Sequence, residues 1–161
     1  MAAGNTYTQI ASTTLGSAAA SVTFSSIAGT YTDLVLVVNA KAQSTDIYPQ
    51  YKLNTSATMS RTYLTGDGSS ATSDRSSDNY IVGTNQVFAS GFLYNQIVHF
   101  MNYANTTTYK TVLTRSNNAS RAVETLVSTW RSTAAINSIE YYASGNFDTG
   151  STFNLYGITA A

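Results

Sequence analysis

Apolar and polar positions trade places every second residue along most of this chain, the period expected of strands half-buried against a core. The strongest element is residues 31–41, Tyr-Thr-Asp-Leu-Val-Leu-Val-Val-Asn-Ala-Lys. Leu34, Leu36 and Val38 share one face of an extended segment, and Val35 and Val37 share the other. Two-sided apolarity rich in β-branched residues predicts a central strand whose second face is covered by a loop or another subunit. Gly29 on one side and the polar run Gln43-Ser44-Thr45-Asp46 on the other bound it.

The same period predicts strands at 6–11, 20–24, 48–53 and 59–65, with Pro49 suited to a strand start or an edge because it donates no ladder hydrogen bond. Residues 80–82 and 86–89 are short apolar pieces. Residues 92–103 and 107–115 form a longer pair, and 121–131 alternate strictly. Ala122, Glu124, Leu126, Ser128 and Trp130 fall on one face there; Val123, Thr125 and Val127 fall on the other. Strands at 136–143 and 151–158 close the chain. Residues 66–79 carry no apolar period and read as a long surface loop of the kind that binds something or moves. Eight to ten strands without a helix predict one all-β domain, a two-sheet antiparallel sandwich of the jelly-roll type, with a short N-terminal arm at 1–6.

Composition narrows the function classes. Charged residues are 10% of the 161, against about 25% in an average protein, and the formal net charge is zero. A neutral chain with eight scattered basic residues lacks the footprint of a nucleic-acid binder. Without cysteine there is no disulfide, thiolate zinc site or thiol nucleophile. No basic-then-apolar leader opens the chain, and no apolar window reaches membrane-spanning length. The three Asn-X-Ser/Thr sequons, at Asn54, Asn105 and Asn118, follow from an Asn/Ser/Thr-rich composition. A neutral surface rich in Tyr, Ser, Thr and Asn suits packing against other subunits.

Few residues suggest chemistry. His99 alternates with Ile97 and Met101 in an apolar strand and reads as a structural imidazole. Asp67, Asp74 and Asp78 do not follow a calcium-loop spacing. Glu124 and Glu140 would resemble a glycosidase pair only if their strands were adjacent, and each could instead pair with an arginine across strands. Trp130 and the tyrosines could offer a sugar platform or fill a core. In Tyr141-Tyr142, one ring must face outward. No cofactor or metal is expected.

Two segments carry a resemblance. The opening from Tyr7-Thr-Gln-Ile-Ala-Ser-Thr-Thr-Leu-Gly to Thr30-Tyr-Thr-Asp-Leu-Val-Leu resembles a recurring start of tailed-bacteriophage virion proteins. The ending, Ile136-Asn-Ser-Ile-Glu-Tyr, then Asn146-Phe147 and Gly150-Ser-Thr-Phe-Asn-Leu-Tyr-Gly-Ile158, is similar to the closing strands of the same group. The resemblance implies a β-sandwich module, often a homotrimer, serving as a capsid decoration (cement) protein or as a fibre or receptor-binding domain. Its implied partners are the major capsid protein and copies of itself, with a host glycan under the fibre reading and neither nucleic acid nor membrane. Its implied location is the virion, capsid surface first. A fibre protein commonly carries a shaft or anchor, whereas this chain runs from Met1 straight into strands, which favours decoration. The expected assembly contacts are Tyr7 in the arm, Val35 and Val37 on the second face of the central strand, Asp67, Asp74, Arg75 and Asp78 in the long loop, and Tyr141 and Tyr142.

Overall fold

The alternation closes into two antiparallel sheets. The structure, a computed structural model, describes residues 6–56, 58–78, 81–82, 88–118 and 121–159. Twelve strands run through them: β1 (Tyr7–Thr14), β2 (Ala19–Phe24), β3 (Asp33–Ala40), β4 (Pro49–Leu53), β5 (Met59–Gly66), β6 (Ala71–Asp78), β7 (Ile81–Val82), β8 (Tyr94–Phe100), β9 (Lys110–Asn118), β10 (Ala122–Trp130), β11 (Ile139–Phe147) and β12 (Thr152–Ile158). The long sheet has the order β1-β12-β3-β8-β9-β10-β5-β6 and the short one β2-β11-β4-β7.

The topology is a jelly roll with two insertions. With β5–β6 and β9–β10 set aside, eight strands remain. The first pairs with the last (β1 with β12), the second with the seventh (β2 with β11), the third with the sixth (β3 with β8) and the fourth with the fifth (β4 with β7). Ladders β12–β3 and β11–β4 join these pairs into two four-stranded sheets. This is a long hairpin folded over itself, the double Greek key of the jelly roll. The inserted hairpins then zip to each other through β10–β5 and attach through β8–β9, doubling the width of one sheet.

Residues 31–41 behave as their pattern predicts. β3 lies between β12 and β8, with Leu34, Leu36 and Val38 fully buried between the sheets. Phe153 and Leu155 of β12, Val98 and Phe100 of β8, and Tyr141, Phe147 and Ile139 of β11 join them in one cluster. Phe147 packs edge-on against Phe153 with ring centroids 5.3 Å apart, and Phe88 stacks on Tyr94 at 4.0 Å.

The stretch 66–79 is a correction. Its described residues, 66–78, form a hairpin: residues 67–70 make the turn and Ala71–Asp78 run back as β6 in unbroken register with β5, while residue 79 lies outside the described residues. A strand at a sheet edge, exposed on both faces, needs only backbone ladder bonds, so its side chains show no apolar period. The turn is fastened by the Asp67 carboxylate, which accepts hydrogen bonds from the backbone N–H and hydroxyl groups of Ser69 and Ser70 at 2.7–3.0 Å. Those donors hold the carboxyl below its usual range.

At the far end, Tyr31 lies against the backbone of Gly157, where an added Cβ would come within 2.3–2.5 Å of the ring. Tyr103, wholly buried, donates its hydroxyl to Ala28 O and accepts from Tyr31 N, fixing the β2–β3 connection. Gly157→Ala is therefore expected to cost about 1–3 kcal/mol. Each kcal/mol lowers Tm by about 2–4 °C in a chain of this length, and an unchanged melting curve would contradict the packing.

Burial also sets the alkaline limit. Tyr51 and Tyr141 are fully buried, which pushes both phenols well above their ordinary value; at Tyr51 the nearby Thr114 and Ser128 hydroxyls and the Arg61 charge oppose burial without cancelling it. The unfolded chain releases these protons near pH 10, so above that pH the native state holds more protons and stability falls as pH rises. Lys110 works in the opposite sense. Burial depresses its Nζ, so its own contribution grows with pH up to the ordinary lysine value. Two phenols against one amine predict net alkaline unfolding. In a spectrophotometric titration the last tyrosinate absorbance should appear together with loss of the β-sheet circular dichroism signal; ionisation of every tyrosine in a folded protein would refute this.

Candidate functional site

The inserted hairpins mix polar side chains into the buried face and leave aliphatic ones outside. On the inner face of β9 and β10 lie Thr114, Ser116, Glu124 and Ser128, all buried. Thr65 Oγ1 donates to Glu124 Oε2 at 2.9 Å, and nearby Tyr141 Oη donates to Gln96 Oε1 at 2.7 Å. The outer face of the same strands carries Leu113, Val123 and Val127, beside Leu64 of β5 and Ile97 of β8. Val123 and Leu64 are each 62% exposed, Val127 47% and Ile97 42%. Polar groups buried beside Leu126 and Trp130, with aliphatics left outside, mark that exterior as a surface meant to be covered.

The register shows how the face is laid out. One row across the sheet reads Val37, Ile97, Arg115, Thr125, Leu64, Ser73; the next reads Val35, His99, Leu113, Val127, Thr62, Arg75. A third ends in Asn117, Val123, Gly66 and Ala71. Where these rows meet β5 and β6, a trough of about 560 Å³ opens, lined by Leu64, Ala71, Ser73, Arg115, Val123 and Thr125 among others. That volume lies within the range of ligand-sized clefts.

The expected contact residues do not form one site. Tyr7 is exposed on the edge strand β1, edge-on to Tyr156 at 6.4 Å, at the opposite side of the long sheet from Arg75. Val35 is buried and Val37 half-buried, so the cover anticipated for them comes largely from their own sheet neighbours Tyr156, His99, Asn154 and Ile97. Asp67 is taken up by its turn. Asp74 and Arg75 are exposed on β6; the Asp78 side chain lies outside the described residues. Tyr141 is in the core and is withdrawn as a contact. Tyr142 is the outward ring, with Lys52 Nζ 4.5 Å from its centroid. None of the set lines the trough; Arg75 stands on the same outer face, in the row next to Ser73.

The chemical candidates are likewise engaged. His99 Nε2 and Asp33 Oδ2 lie 2.8 Å apart, and the Asn102 N–H donates to the same carboxylate at 2.6 Å. Glu124 and Glu140 stand on different sheets, and Glu140 pairs with Lys52 at 3.0 Å. Trp130 is buried, so it fills the core and offers no sugar platform. Among the described residues no three His, Cys, Asp or Glu side chains group as metal ligands. The trough residues Leu64, Val123 and Arg115 were missed because a period of two separates two faces without saying which is inward. The available signal was Glu124 and Ser128 sharing a face with Leu126 and Trp130.

The exposed aliphatics should be dispensable for folding. Val123→Ser is expected to change stability by no more than about 0.5 kcal/mol, whereas Leu36→Ala in the core should cost about 2–5 kcal/mol. Urea titrations of the two variants test the contrast, and a Val123→Ser cost near that of Leu36→Ala would show that the face is already covered. Comparison of the chain with models of protein families, with curated proteins and with solved structures found no match.

Proposed function

We propose that this protein is a structural component of a bacteriophage virion, a capsid decoration protein that docks on the assembled head and stabilises it, with no catalytic role. The observation that carries the docking part is the outer face of the long sheet: Leu64, Ile97, Val123 and Val127 exposed side by side, with few charges. The virion part rests on the sequence resemblance. The resembling segments supply β1, β2 and the start of β3 from one end of the chain, and β11 and β12 from the other. Those strands pair with each other, β1 with β12 and β2 with β11, and so make one half of the sandwich.

In this reading the jelly roll is a rigid carrier and the wide sheet is the contact surface. Attachment comes from apolar burial and hydrogen bonds, which suits a neutral chain and makes binding tolerant of salt. Homotrimers placed at lattice symmetry positions would clamp neighbouring capsid subunits. A second reading, a fibre or receptor-binding part, is favoured by one feature. Tyr48, Phe92 and Leu93 are about half exposed or more, in the loops where bridges Ile47–Phe88 and Ala42–Ser90 bring the β3–β4 and β7–β8 connections together. Such a tip could meet a host glycan.

Copy number separates the two. Quantitative mass spectrometry of particles carrying the protein should give hundreds of copies for decoration; a few to a few dozen would overturn it in favour of the fibre reading. In addition, a folded Leu64→Asp/Val123→Asp variant should fail to bind undecorated heads that the parent protein coats. Wild-type occupancy by that variant would remove the long-sheet face from the contact.

A further inference from the structure

The two edges of the long sheet differ. β1 is blunted by a register shift between Gln9 and Ala11, a bulge that spoils its edge for further pairing. β6 has no such protection: eight consecutive residues pair with β5 without a break, and residues 71–77 are exposed or half-exposed. An antiparallel edge strand of this kind leaves alternate N–H and C=O groups free for another strand. Beside it, on the outer face, lies the aliphatic trough, reached through the small side chains Ala71 and Ser73. The same face holds two arginines, Arg75 on β6 and Arg115 in the trough.

The charges around this edge are unbalanced. Every described carboxylate side chain elsewhere has a partner: Asp33 has His99, Asp46 has Arg121, Asp148 has Lys41, Glu140 has Lys52, Glu124 has Thr65 and Asp67 has its turn. Asp74 Oδ2 accepts from Tyr63 Oη, on the inner face. The Arg75 and Arg115 guanidinium groups have no carboxylate partner among the described residues; the Arg75 backbone N–H donates to Asp74 Oδ1 at 2.7 Å.

We propose that the β6 edge and the trough together dock an extended segment of a partner protein by strand addition. The segment's outward residues would be apolar opposite Ala71 and Ser73 and acidic opposite Arg75. Backbone bonds to β6 supply affinity, and the alternate side chains supply selectivity. A second copy of this chain fits the edge poorly. Twofold antiparallel pairing of two β6 strands preserves the faces, and its two longest registers set Asp74 against Asp74 or Arg75 against Arg75. Like charges directly opposite each other destabilise such a pair. This inference rests on taking the long sheet's outer face as the contact surface, while the copy-number measurement does not involve β6, so the two can fail separately.

The test uses the full chain and a fluorescein-labelled peptide, Thr-Asp-Thr-Val-Thr-Val-Thr, with a lysine-for-aspartate version as control. Fluorescence anisotropy should show the acidic peptide binding at least tenfold more tightly. Arg75→Glu should reverse that preference while circular dichroism stays unchanged. Hydrogen exchange on the wild-type protein should slow at the amides of residues 71–77 when the acidic peptide is added. Equal affinity for both peptides, no binding of either at millimolar concentration, or protection at β1 in place of β6 would each overturn the proposal. So would concentration-dependent protection of 71–77 without peptide, because the occupant would then be a second copy.

Discussion

Burial of one face of β3 is the constraint on which the rest of the fold depends. Leu34, Leu36 and Val38 are wholly excluded from water, and they can be so only if β12 and β8 flank them and the short sheet roofs them. β12 comes from the end of the chain and β8 from its middle. Satisfying this one strand therefore forces the folded-over hairpin that pairs first with last and third with sixth. The backbone groups of β3 are paired on both sides, so apolar burial leaves no orphaned amide behind.

The inserted hairpins answer a different need. They add four strands to one sheet without adding strands to the other, so the long sheet outgrows its roof. Beneath the extension buried polar groups, with Thr65 bonded to Glu124, sit among the apolar Val112, Leu126 and Trp130. Such a layer fixes register and gains less from apolar burial than an aliphatic one would. The aliphatic residues saved from the inside stand on the outside, at Leu64, Val123 and Val127. That exchange costs a free monomer little and gives an associating surface its apolar area. The low charge acts in the same direction, because few ions must be desolvated when the face is covered.

The fold was legible because period-two patterning acts locally. β3, β8, β10 and β12 were readable from alternation, and the turn at Asp67-Gly68-Ser69-Ser70 carries its own fastening in residues two and three apart. β6 was not legible, since an edge strand open to water on both faces is held by backbone ladders that leave no mark on side-chain choice. Tyr141 and Tyr142 show the same limit at one step. Adjacent strand residues must diverge, yet nothing in the pair says that Tyr141 is the buried one.

The sequence alone thus determined the all-β class, the sandwich and the two apolar faces of β3, because those follow from residues one or two positions apart. Pairing of strands distant in the chain was decided only in three dimensions. So were the exposure of Val123 and Val127 on β10, the trough between Leu64 and Val123, and the unprotected β6 edge. Each depends on which face the neighbouring sheet covers, and that is a property of the closed molecule that no single strand contains.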